Sequence, residues 1–314
     1  MNIDIHDAQA NMAFIRSQAA HIEAGVYATR YPTVQYPELI PVDYSAPEFA
    51  QSVIYSSTDA RGLAKWINGN AKDIPNVATS RSETSTGVHT AGIGYDFGWE
   101  EIGLARMMGI ALTADRADSA RRISEEFVDY VALSTGDADK GFQPFINNSG
   151  ITPANVANNA GATSRLWTAK TSLEVLKDLN EIITDVWSDS LQIEMADTLL
   201  LSPDRLAYIA TTPMSADSAM TILDYFLKSN LYTMQTGKKI TVRAVRGLET
   251  VGVSTTQRMV AYRRAPDVVK LHIPMSHRFL EVQQEGLYYN VPGVMRLGGV
   301  DIRLPGAVRY RDAF

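Results

Sequence analysis

ADRADSARRISEEFVDYVALSTGDADKGFQPFINNSGIT, from Ala114 to Thr152, is the stretch on which the reading of this chain turns. Its first half predicts a long helix over Asp115 to Leu133. Ala120, Ile123, Phe127 and Val131 recur at steps of three and four, an apolar stripe along one face. Asp118–Arg122, Arg121–Glu125 and Arg122–Glu126 set opposite charges four apart on the wet faces, each pair worth about 0.2–0.5 kcal/mol. At about 1.5 Å per residue the helix is a rod of roughly 28 Å. Gly136 stops it. Asp137-Ala-Asp139-Lys-Gly141 then opens like a calcium loop. Phe142 and Asn148 stand where an EF-hand requires glycine and glutamate, so the segment reads as a tight turn.

Working back from this helix, Trp99, Ile102 and Met108 mark a shorter one, weakened at its end by Gly109. Before it, about half of the residues from Ser56 to Phe97 are Ser, Thr, Gly, Asn or Asp. Asn68-Gly69 is a strong turn signal. A structureless loop of this length is uncommon in a compact domain, which leaves a long two-stranded projection. Such a hairpin is marginal alone and needs a neighbour to lean on. Tyr31 to Pro47 carries Pro32, Pro37, Pro41 and Pro47, which rules out an ordinary helix or central strand. It reads as an extended arm, with Tyr31, Tyr36, Ile40, Val42 and Tyr44 as its adhesive contacts. Met12, Ile15, Ala19, Ile22 and Val26 give a narrow stripe on a first helix, which needs a partner surface to be stable.

Working forward, the pattern becomes mixed. Thr171 and Glu174 form a capping box before Leu173, Leu176, Leu179, Ile183 and Val186. Thr198 to Leu201 is a short apolar strand, and Ser202-Pro203 opens a helix with serine as N-cap. Met220, Leu223, Phe226 and Leu227 line another, ending near Asn230. Strands follow at Ile240 to Val245, Arg258 to Tyr262, Val268 to Ile273, Val300 to Arg303 and Ala307 to Tyr310. The fold class is therefore α+β.

The bulk properties exclude several functions. With 45% hydrophobic residues in 314, the chain can bury a sizeable core. It has no cysteine, hence no disulfide, thiol nucleophile or Cys-type zinc site. No apolar run approaches the roughly 20 residues that span a bilayer, and no secretory signal opens the sequence, so no membrane partner is expected. A net charge of −6 argues against a dedicated nucleic-acid binder. Charge is uneven. Met1 to Ala60 holds seven acids against two bases, and Gly237 to Phe314 thirteen bases against six acids. The two ends either attract one another or are simply solvated.

Chemistry-bearing motifs are missing. His6, His21, His89, His272 and His277 make no metal-ligand spacing. Gly92-Ile-Gly94 lacks a third glycine, Gly237-Lys238 lacks the upstream glycine of a phosphate loop, and there is no G-x-S-x-G elbow. Lys238-Lys239 and Arg263-Arg264 are basic doublets of the kind usually found on solvated faces. No catalytic, cofactor-binding or metal-ligating residue is assigned. The positive signal is organisational: a helix, an arm and a projection without a core of their own precede a compact body. The expectation is that the first third packs on sister copies.

Ala114 to Thr152 is similar to the spine helix and glycine-rich crossing of the tailed-bacteriophage major capsid family, whose fold is shared with encapsulins. DTLLLSPDRLAYI, Asp197 to Ile209, resembles that family's axial-domain strand, proline and helix. VVKLHIPMSHRFLEVQQEGLYYNVPGVMRLGGVDIRLPGAVRY, Val268 to Tyr310, resembles the closing strands of one of its subgroups. The resemblance implies an N-terminal helix and arm over residues 1–55 and an extended loop over 56–97. It implies a peripheral domain over 98–142 and 293–314, and an axial domain over 143–292. It implies a non-enzymatic major capsid protein without cofactors. Hexamers and pentamers of the chain would form an icosahedral head around double-stranded DNA, assembled in the host bacterial cytoplasm. Partners would include portal and decoration proteins and either a separate scaffold or none, because only about 30 residues precede the arm. Some relatives cross-link the extended loop through lysine and asparagine; Lys65 and Lys72 lie in it here, and no acceptor is assigned. The competing expectations are an encapsulin-type compartment, a cytosolic α+β enzyme or ligand-binding protein, and a phage tail or adaptor protein.

Overall fold

In the computed structural model the described residues are 31–66, 75–108, 112–215, 217 and 219–314. The first helix expected over Met12 to Val26 and the Asn68-Gly69 turn lie outside them.

The arm is where the structure departs most from expectation. Tyr36–Leu39 forms one helical turn, α1, with Pro37 near its start, where its missing N–H costs nothing. Val42–Asp43, β1, follows. Tyr36, Leu39 and Ile40 are buried in the chain's own core. Asp129 accepts the Gln35 and Tyr36 amides at 2.8 and 2.7 Å, and the Tyr36 hydroxyl donates to Glu125 at 2.7 Å. The Tyr262 hydroxyl donates to the Leu39 carbonyl at 2.6 Å. This part of the first third therefore finds its burial against its own body, contrary to the expectation that sister copies supply it. Proline spacing reveals that backbone donors are missing; it does not reveal which carbonyls and rings, more than 200 residues away, are waiting.

Ser52–Arg61, β2, and Ala78–Gly87, β3, pair antiparallel from Ser52↔Gly87 to Arg61↔Ala78 without a break. This is the anticipated two-stranded projection. It begins earlier than Ser56, and its ladder closes at Gly87. His89–Gly92, β4, and Tyr95–Gly98, β5, already belong to the body. Trp99–Met108, α2, follows.

Leu112–Asp129, α3, runs into a π-helical turn at Tyr130–Ser134. Gly136 then turns the chain at φ +64°. A side chain there would meet the Phe142 carbonyl at 2.3 Å, which is why only glycine fits. The turn read at Asp137 to Gly141 is present as a tight pairing of Asp137 with Phe142. The inward face of α3 is Ala120, Ser124 and Val128, continued by Val131 in the π-helical turn. Ile123 and Phe127, expected in the stripe, remain 42% and 40% exposed.

Ala154–Asn155, β6, precedes Ser172–Asp189, α4, whose Thr171–Glu174 capping box is formed. Thr198–Leu201 is β7 and Pro203–Thr211 is α5. Ser202 does not cap α5 through its side chain; its hydroxyl bonds Gln257 at 3.0 Å. Ile222–Lys228, α6, is followed by its C-cap Ser229, so it ends near Asn230, as anticipated. Asn230 also starts an unanticipated helix, Leu231–Thr236, α7: its Nδ2 donates to the Phe226 carbonyl and its Oδ1 accepts the Thr233 amide, both at 2.8 Å.

Thr241–Ala244 (β8), Arg258–Tyr262 (β9), Val269–His272 (β10), Met275–Phe279 (β11), Gln283–Glu285 (β12), Tyr288–Val291 (β13), Gly293–Leu297 (β14), Val300–Ile302 (β15) and Val308–Asp312 (β16) complete the chain. The central sheet has the order β6-β16-β9-β7-β8. Successive residues face opposite sides. Leu199, Leu201, Met259 and Ala261 enter one core with α4, α5 and α6; Leu200, Val260, Tyr262, Val308 and Tyr310 enter a second with α1 and the end of α3. Burial on both faces explains why these strands read as unbroken apolar runs. Pairing crosses the segment limit expected at 292–293: β11 pairs with β14, and β16 with β9.

Candidate assembly surface

Histidines do not converge. His6 and His21 lie outside the described residues. His89 meets Phe142 edge-on at 5.4 Å between centroids. His272 is buried between Asp43 and Asp301, at 3.8 and 3.7 Å. His277 Nε2 lies 2.9 Å from the Ile93 carbonyl. Among the described residues, no group of three His, Asp or Glu side chains is placed to hold a metal. No described helix is long and apolar enough to cross a membrane.

The basic residues of the tail are largely used internally. Arg243 pairs with Glu38, Lys270 with Asp43 at 3.0 Å, and Arg278 with Glu48 at 3.1 Å. Three acids of the first sixty residues thus pair with tail bases within a single chain, two of these pairs remaining open to solvent. Arg263 bonds Glu194 and Asp267, and Arg264 donates to the Pro37 carbonyl. Hydrogen bonds from Ser45, with Lys270 behind them, hold the Asp43 carboxyl below its ordinary range. Burial pushes the Asp178 carboxyl up, against Lys170 at 2.5 Å and the Trp167 indole at 3.0 Å. These pairs hold elements of the body together.

What the surface offers is unpartnered apolar area on ordered scaffolding. The β2–β3 ladder is about 33 Å long at roughly 3.3 Å per residue and open to solvent on both faces over most of its length. Its root is held where Arg303 lies over the Tyr55 ring, 4.9 Å from the centroid. Beyond the ladder, Leu63, Trp66 and Val77 are exposed, Trp66 completely. A second apolar site lies where α2 meets the β5–β13 pair: a groove of about 890 Å³ lined by Phe97, Trp99, Leu104, Met107, Val282 and Tyr289, among others. Its edge is braced by Arg116, which donates to the Asp96 carbonyl, pairs with Glu101 and lies over the Phe97 ring. The sequence marked Trp99 and Met108 as a helix and Tyr289 as part of the tail; no periodicity tells that strands 190 residues apart bring them to one groove.

A family model described as "Major capsid protein" matches residues 62–313. This chain belongs to the major capsid protein family. The capsid protein is accordingly a structural, non-enzymatic component of a capsid, and its place is the virion shell, built from many subunits. Its fold is that of solved phage capsids. The capsid of Myoviridae phage XM1 matches with a TM-score of 0.77 at 17% identity, over 95% of this chain and 97% of the other. The capsid of an empty GTA particle matches at 0.62 and 10% identity, over 93% and 94%. A structure from Microbacterium phage Oxtober96 matches at 0.60 and 14% identity, over 100% and 94%. No curated protein matches the capsid protein by sequence.

Proposed function

We propose that this capsid protein forms the hexamers and pentamers of an icosahedral head around double-stranded DNA, with the β2–β3 hairpin laid across the neighbouring subunit. The observation that carries this is the hairpin itself. Ten residues on each strand are fully paired yet unburied. Two strands without a covered face are marginal in water, so a long ladder of this kind is explained by burial in an assembly. In this reading α3 and the strands around it act as the peripheral domain. The α4–α7 layer and its sheet act as the axial domain, with β16 crossing into it from the 293–314 segment. Residues 1–55 are the arm segment; part of it is also body. Assembly takes place in the host bacterial cytoplasm, with separate scaffold, portal and decoration proteins.

Negative-stain electron microscopy of the full chain, expressed with and without phage scaffold candidates, tests the reading. Large regular particles are expected, and particles from lysates should protect duplex DNA from nuclease. Only small discrete oligomers under every condition would refute it. Regular shells enclosing protein cargo and no DNA would identify a compartment instead.

A further inference from the structure

We propose that His272 is a proton-operated clasp: on taking up a proton it fastens the arm strand β1 and the closing strand β15 to β10, the strand between them. The inference is independent of the shell reading, since every group in it belongs to one chain. The sheet runs β1-β10-β15. Val269 and Leu271 turn one face of β10 into the core. Alternation puts Lys270 and His272 on the other face, where the register sets Asp43 beside His272 and Asp301 beside Lys270. His272 is 1% exposed, and its Nε2 has no hydrogen-bond partner among the described residues.

Asp43 Oδ2 lies 3.8 Å from the ring's Nδ1, and Asp301 Oδ2 lies 3.7 Å from its Nε2. The neighbouring cations are turned to those same oxygens: Lys270 bonds Asp43 Oδ2 at 3.0 Å, and Arg303 bonds Asp301 Oδ2 at 3.2 Å. The Gly298-Gly299 turn packs on the Cβ side, bonded to the His272 backbone, and brings no charge. Both carboxylates only accept hydrogen bonds. A neutral imidazole owns a single N–H, so either tautomer leaves a ring lone pair facing a carboxylate oxygen. The imidazolium owns two and donates to β1 and β15 together. An approach of about 1 Å on each side turns the present separations into charge-assisted bonds. The consequence reaches the hairpin, because Arg303, at the end of this row, lies over the Tyr55 ring in β2. Histidine is the side chain whose charge ordinarily changes between about pH 5 and 8, so mild acid tightens the joint of arm, body and hairpin root.

Hydrogen exchange of the full chain, read by mass spectrometry at about pH 5.5 and about pH 8, tests this, with protection taken against the intrinsic rate at each pH. The reporters are the Leu271 and Ile273 amides, bonded to the Pro41 and Asp43 carbonyls, and the His272 amide, bonded to the Gly299 carbonyl. Their protection should be about tenfold higher at the lower pH, the worth of one charge-assisted hydrogen bond. The β9 amides paired with β16 are the internal reference and should not change. His272→Gln, which keeps a donor and an acceptor in the joint and cannot titrate, should abolish the difference. A variant that loses protection equally at both pH values retains the difference; that would make His272 a mere filler of the joint and overturn the proposal. A wild-type chain without the difference, or with an equal one in the reference amides, overturns it as well. Should His272→Gln fail to fold, Asp301→Asn is read in its place. It keeps the histidine, neutralises one of the two carboxylates beside it and should reduce the difference to about threefold or less. An unchanged difference in that variant overturns the proposal.

Discussion

Arg258 and Asp312 face each other on the adjacent strands β9 and β16 of the central sheet. Arg258 donates to both Asp312 oxygens, at 2.7 and 2.8 Å, and its remaining nitrogen reaches the Ile146 carbonyl and Asn147 Oδ1 at 3.1 and 2.8 Å. Both side chains are out of water, at 3% and 0% exposure. Removing one partner leaves a buried uncompensated charge, at a cost of about 3–5 kcal/mol. Arg258→Met should therefore lower the thermal midpoint by roughly 10 °C in a chain of this size, read by circular dichroism. Asp43 shows the opposite situation, an ion pair close to water. Its carboxyl is held low in the folded chain, so the stabilisation is present above the ordinary carboxylate value of about 3.9 and is lost as pH falls through its folded value. Hydrogen exchange should report this. The Leu271 and Ile273 amides, bonded to the Pro41 and Asp43 carbonyls, should show lower protection factors, taken against the intrinsic exchange rate at each pH, in strong acid than at neutral pH, and Asp43→Asn should lower them already at neutral pH.

The hairpin and the arm behave differently as units, and truncation separates them. Replacing 56–83 by Asn-Gly, which closes Tyr55 onto Thr84 with a two-residue turn, removes the exposed part of the ladder and spares β4. The product should be a folded monomer with an unfolding midpoint within about 3 °C of the parent's, by scanning calorimetry, and should form no particles. A longer deletion, through Gly94, would remove β4 from its place beside β14 and unfold part of the body. Asn230→Ala should cost about 1–2 kcal/mol, because it removes the cap of α7 and the bond to Phe226 together. Helices such as α3 and α4 were legible because their periodicity and capping are local. The strands of the central sheet were legible as apolar runs for the same reason. Ile123 and Phe127 were misplaced because a stripe gives the apolar side of a helix and not how far neighbours cover it. The arm's burial, the short helix α7 and the groove were not legible, since each depends on a partner distant in sequence or on a residue serving two helices at once.

Across the chain, the acids of the arm and the bases of the tail cancel through Glu38, Asp43 and Glu48, leaving a net charge of −6 to the surface as a whole. A wall of this kind should bind duplex DNA weakly. The slope of log affinity against log salt measured on purified empty shells should be shallow, since slope counts neutralised phosphates. A steep slope would reveal a concentrated basic lining. The β1–β10 and β4–β14 pairings carry a further consequence, for the ribosome. Val42 waits for Leu271, and His89 for Leu297, which emerges about 200 residues later. At roughly 5–20 residues per second that is about 10–40 s of translation. During that interval the emerging polypeptide has a hairpin without a seated root and α2 without its opposite wall. The root of the hairpin and the far wall of the α2 groove are thus completed only when the last part of the polypeptide has emerged.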